Sequence, residues 1–219
     1  MKKSVLLSVF AAAGILFANT ANAQKGFNIG IQATPQISKM YNADDADNKA
    51  IDYKTTFGAS FGVNGGYNFH KNMGVAVEAA YSIQGQRYEL NGTEMTQRIN
   101  YLKVPVLFTY NTNPAKKVMF TAKAGPQLGI KLTSKLNDAD GNELVDDTNE
   151  NFEDLTWGAT AGAGVRINVA KNLYAEGGIR FDAAFTNAEN EDKPEYDNNR
   201  ATTYNMNGGL EFGLKYFFR

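Results

Sequence analysis

Phe57-Gly58-Ala59-Ser60-Phe61-Gly62-Val63-Asn64-Gly65-Gly66-Tyr67-Asn68-Phe69 decides the fold, because its odd positions are apolar or small and its even positions are Gly, Ser or Asn. A two-residue period is that of a β-strand, whose successive side chains point to opposite faces. The pattern returns over 73–84, 118–132, 155–169, 173–185 and 204–218. Each run exceeds the roughly 5–6 residues of an ordinary soluble strand. A tilted membrane-spanning strand needs roughly 9–11 residues, which these runs supply.

Alternation alone leaves open which row faces inward. A soluble barrel puts its apolar row inside, whereas an outer-membrane barrel turns it to lipid and fills its interior with polar groups. The apolar row offers about five large side chains per strand, more than an eight-stranded interior can hold. The other row is small enough to fit: Gly58, Gly62, Gly74, Gly125, Gly129, Gly158, Gly162, Gly164, Gly178, Gly209 and Gly213 all lie on it. A hydrophobic content of 43% and a net charge of −1 describe an average soluble protein. Averages conceal a barrel that is apolar on one row only.

Eight strands are expected, over 26–38, 55–69, 73–86, 97–110, 118–132, 155–169, 173–186 and 200–218. Their connections alternate: polar loops at 41–54, 87–96, 133–154 and 186–199, with short connections at 70–72, 111–117 and 170–172. Long outside and short inside is the pattern of an up-and-down barrel in an outer membrane. His70-Lys71-Asn72 and Ala170-Lys171-Asn172 read as three-residue turns with Asn in the left-handed position. That geometry places Arg166 opposite Glu176, Gly162 opposite Arg180 and Asn64 opposite Glu78. Pro105 and Pro126 fall inside strands, where each removes a ladder donor and predicts a local bulge.

Met1-Lys2-Lys3, the apolar run 5–18 and Ala21-Asn22-Ala23 read as a signal peptide over 1–23, leaving a barrel domain over 24–219. The chain has no cysteine. Thiol catalysis and thiolate metal sites are thereby excluded, and stability must come from the closed sheet.

Nine charged residues fall on the inner row: Glu78, Lys103, Lys123, Arg166, Glu176, Arg180, Asp182, Glu211 and Lys215. Their signs nearly balance. The first reading is a lumen plugged by paired charges, since a buried charge without a partner is very costly. The alternative is a path for ions or small solutes.

Tyr101-Leu102-Lys103-Val104-Pro105-Val106-Leu107-Phe108 resembles the Tyr-Leu-x-aliphatic-Pro strand of PorT-like small outer-membrane barrels, also called porin-family proteins. Ala124-Gly125-Pro126-Gln127-Leu128-Gly129, Ala161-Gly162-Ala163-Gly164-Val165 and Gly178-Ile179-Arg180-Phe181 are similar to later strands of that family. The resemblance implies an all-β, eight-stranded antiparallel barrel of OmpA/OmpX type and no ligand. Such barrels usually end on an aromatic residue, whereas here Arg219 follows Phe218. The last strand, with Gly213, Leu214, Tyr216 and Phe218, still carries the features expected to engage the outer-membrane assembly machinery.

The only histidine, His70, falls in a short turn assigned to the periplasmic side, away from surface substrates. No catalytic residue, metal site or cofactor is expected. Asp138-Ala139-Asp140-Gly141 echoes a calcium loop, but from Asp138 the glycine falls fourth and Asn149 twelfth, which breaks the EF-hand pattern. The expected partners are outer-membrane lipid and a surface ligand or partner protein at the acidic loops; no nucleic acid is expected.

Overall fold

The computed structural model describes residues 25–47, 51–90, 92–112, 116–145, 148–193 and 199–218. The signal-peptide reading over 1–23 and Arg219 lie outside these residues. In chain order the strands are β1 (Gly26–Tyr41), β2 (Ile51–Lys54), β3 (Thr56–Asn68), β4 (Met73–Leu90), β5 (Thr93–Asn111), β6 (Val118–Asp138), β7 (Glu143–Val145), β8 (Leu155–Ala170), β9 (Leu173–Ala184) and β10 (Tyr204–Phe217). A short helix, α1 (Ala43–Asp47), precedes β2.

Eight of these strands pair antiparallel in the circular order β1-β3-β4-β5-β6-β8-β9-β10. The ring closes where β10 meets β1, from Asn28↔Phe217 to Tyr41↔Tyr204. Closure leaves no edge in the membrane, where an unpaired backbone group is expensive. The remaining strands, β2 on β4 and β7 on β6, pair with extensions beyond the band of exposed apolar residues.

Rows and faces follow from the pleat. Phe57, Phe61, Tyr67, Val77, Tyr81, Phe120, Leu155, Trp157, Leu210, Phe212 and Tyr216 all point outward and are exposed. Their inward neighbours Ser60, Asn64, Ser82, Thr156, Thr160 and Asn207 are buried. Exposed aromatic side chains on this scale fit lipid and would aggregate in water. Trp157 starts β8 just beneath a long loop, and 58% of it is exposed. Its fluorescence should therefore be blue-shifted in bilayers and quenched by shallow lipid-borne quenchers. Quenching by aqueous iodide alone is the contrary result.

The register agrees with the turn arithmetic: Arg166↔Glu176, Gly162↔Arg180 and Asn64↔Glu78 are cross-strand pairs. The turns themselves differ from expectation. In the second hairpin Asn172 takes a φ of 64°, but the closing pair is Ala170↔Leu173 and the extra residue, Val169, bulges within β8. In the first hairpin Asn72 has no positive φ. Its side chain instead donates to Asn111 O at 2.7 Å, and its carbonyl accepts from Asn111 N at 2.7 Å, tying the turn to the end of β5.

Two further expectations are corrected. No register shift occurs at Pro105 or Pro126; the bulge between β5 and β6 lies between Asn100 and Tyr101. At Pro105 the β4–β5 pairing runs from Val77↔Val106 to Ala80↔Lys103 in unchanged register. A missing N–H thus costs rungs without moving the strand. The expected loop at 87–96 is mostly strand, because β4 and β5 continue as a hairpin to Leu90↔Thr93.

Candidate functional site

The inner row brings together the nine charges that the alternation places there. Glu78 is the hub: Arg180 Nη1 donates to its Oε2 at 2.5 Å, Lys123 Nζ to its Oε1 at 2.8 Å and Gln32 Nε2 to Oε2 at 2.8 Å. Glu211 accepts from the same two cations, Lys123 at 2.9 Å and Arg180 at 3.0 Å. Arg180 Nε reaches both Asp182 oxygens at 3.2 Å, and Lys103 Nζ lies 3.7 Å from Asp182. Thr160 adds a hydroxyl donor to Asp182 at 2.6 Å. Glu78 on β4 and Lys123 on β6 meet Arg180 on β9 and Glu211 on β10 from opposite parts of the chain, so closure of the ring assembles the cluster.

A second group lies closer to the short turns. Arg166 Nε donates to Glu176 Oε1 at 2.5 Å, Arg166 Nη2 pairs with the same carboxylate, and Lys215 Nζ is 3.6 Å from its other oxygen. The Arg166 guanidinium stands 5.2 Å over the Phe217 ring. Phe217, Tyr174 and Met119 form a buried apolar floor beneath it.

Above the charges, polar side chains bond across the barrel. Gln36 donates to Ser82 at 3.1 Å, and Asn207 to Gln84 at 2.8 Å. Higher still, Met40, Ile99, Tyr101, Phe152 and Ala188 form a second buried apolar cluster. Phe152 and Ala188 come from the long loops, so the loops fold into the mouth. Lys131 holds the first of these by donating to the carbonyl of Phe152, while its Nζ lies 3.0 Å from Asp154.

The loops are clasped to one another by Arg200. Its guanidinium donates to both Asp45 oxygens at 2.9 Å and to Glu189 Oε2 at 2.7 Å. These hydrogen bonds, and then the carboxylate charges, raise the Arg200 pKa further. Tyr53 donates to Asp45 at 3.0 Å and stacks edge-on to Tyr88. Burial, and then the Asp45 charge, push its hydroxyl up to about 12.

Asp138 closes a loop turn by accepting from Asn142 N at 2.8 Å, and Gly141 there has a φ of 87°. Among the described residues no group of three or more acidic, His or Cys side chains is placed to hold a metal ion. His70 is exposed in its turn, its Nδ1 accepting from Asn72 N at 3.3 Å.

Sequence reasoning missed Gln32, Thr160, the loop plug of Phe152 and Ala188, and the Arg200 clasp. Gln32 and Thr160 do lie on the polar row, but nothing separates them from its other uncharged members. Arg200 carried a weak signal as the lone arginine after the acidic stretch 189–197.

An eight-stranded closed sheet with apolar residues outside and charges inside is the architecture of an integral outer-membrane β-barrel. The chain belongs to the outer membrane protein beta-barrel domain family, whose model matches residues 17–188. Similar solved structures include Neisserial surface protein A, 15% identical, covering 89% of this chain and 98% of that one with a TM-score of 0.49. OprG from Pseudomonas aeruginosa is 12% identical over 89% and 97% of the two chains, with a TM-score of 0.47. Ail, the attachment invasion locus protein of Yersinia pestis, is 15% identical over 88% and 100%, with a TM-score of 0.46. No curated protein sequence matches the chain.

Proposed function

We propose that this outer-membrane protein is a non-catalytic surface-interaction barrel that presents its folded loops outside the cell and has no through path in its lumen. The observation that carries the reading is the stacking of four inward layers: the floor of Met119, Tyr174 and Phe217, the paired charges, the Gln and Asn cross-bonds, and the Phe152 plug. Eight strands leave an interior just wide enough for side chains, and four layers of them stand against a through path. The outer face is suited to contact because it is structured. Loop segments add strands to the sheet, and Arg200 fixes two loops in one arrangement.

Within this reading, residues 1–23 direct export and are removed near Ala23, and the last strand engages the assembly machinery. The motif at Tyr101–Phe108 supports a PorT-like affiliation inside the wider family. The test is conductance of the refolded mature protein in planar bilayers, where no steady current is expected. Stable unitary steps that persist after Phe152→Ala would replace the proposal with the small-solute channel. Pulldown of surface material by the intact protein, lost when 186–199 is shortened, is the expected result for the loops.

A further inference from the structure

The nine lumen charges divide unevenly. Lys103, Lys123 and Arg180 are matched by Glu78, Glu211 and Asp182, three against three, within one set of contacts. Arg166 and Lys215 share a single carboxylate, Glu176. Among the described residues one positive charge is therefore left over, and it sits at the end of the lumen nearest the short turns.

The surroundings give this charge little access to solvent. Arg166 is 4% exposed and Lys215 is 8% exposed. The apolar floor closes off the turn end, with Tyr174 packed edge-on against Phe217 at 5.2 Å. Burial of an unbalanced charge in a medium of low polarity is severely unfavourable. Arg166 Nη1 is also buried with no hydrogen-bond partner among the described residues. Next to it lies a cavity of about 40 Å³, lined by Arg166, Glu176, Lys215, Lys123, Thr121 and Asn111 among others. About 10–15 Å³ suffices for a water, so the space takes about three water-sized bodies, enough for one ion and a water or two beside it.

We propose that this cavity binds one monatomic monovalent anion, a halide, held by Arg166 Nη1 and neutralising the Arg166–Lys215 pair. The ion fits three separate observations: the sign of the excess charge, the orphaned donor and the small volume. One unspent donor is too few for the three or four oxygens of an oxyanion, and Glu176 and Glu211 on the lining would repel those left over. The proposal stands apart from the role of the loops and rests on the proposed function only for the closed lumen.

The experiment is urea unfolding of the refolded mature protein in detergent at one fixed ionic strength, with chloride, bromide, methanesulfonate or sulfate as the anion. A ligand bound only by the folded state raises the unfolding midpoint saturably. Chloride and bromide should do so; methanesulfonate and sulfate should not. Lys215→Gln restores a count of four against four and leaves Glu176 to Arg166, so its midpoint should no longer respond to halide. Crystals of the wild-type protein soaked in bromide should show an anomalous peak within hydrogen-bonding reach of Arg166 Nη1, which decides the matter if Lys215→Gln does not fold. Midpoints that respond to chloride and bromide no more than to methanesulfonate, a halide response retained in Lys215→Gln, or a lumen without bromide would each overturn the proposal.

Discussion

Glu78→Gln should destabilise the barrel by about 3–5 kcal/mol, the range for removing one member of a buried ion pair. Glu78 is 3% exposed and accepts from Arg180, Lys123 and Gln32, so the substitution removes the charge that two buried cations share. Gln keeps the size and one acceptor, which separates charge from packing. Glu211 remains within reach of both cations and sets the lower end of the range. The measurement is a shift of the urea midpoint in detergent or vesicles at unchanged slope. A change below about 1 kcal/mol, the size of an exposed pair, would mean that water reaches the cluster and that the lumen is wet.

The same cluster shows how much of the protein was legible beforehand. Each of its six charges, like the three of the Glu176 group, stands on the polar row of a strand whose period is two, and the pleat is a local property that sequence reveals directly. The register of β8 with β9 was also legible, because Asn172 marks the turn and a count from it gives Arg166↔Glu176. Which charges meet across the barrel was not. Glu78 on β4 touches Arg180 on β9 only because the ring closes, and alternation says nothing of distance across the lumen.

Strand ends were the weakest reading, for a related reason. Past Gln84 and before Gln97 the apolar row is broken by Arg87, Glu89 and Glu94, so the alternation that marks a strand fades although the pairing continues. Asn91-Gly92 was available as a hairpin signal, and Gly92 takes a φ of 80°. The prolines misled in the opposite way. A bulge follows when a strand is free to shift, but β5 is paired on both sides over most of its length and holds its register past Pro105.

Glu176→Gln should be as damaging as Glu78→Gln, and clearly worse than Arg166→Met. With Glu176 neutral, Arg166 and Lys215 face each other in a closed apolar-floored space without their shared carboxylate. Arg166→Met removes a charge from the overpopulated side, and Lys215 at 3.6 Å remains as the partner of Glu176. The double variant Arg166→Met/Glu176→Gln should recover part of the loss of Glu176→Gln, leaving Lys215 alone. The coupling is thus non-additive and favours the double by about 1–3 kcal/mol. A four-variant urea series reads it out directly. If the two single losses simply add, the side chains are not coupled in the folded barrel, and the close Arg166–Glu176 contact does not bear on stability. If Arg166→Met proves the worse single change, the excess positive charge is not there, and the halide site loses its electrostatic basis along with it.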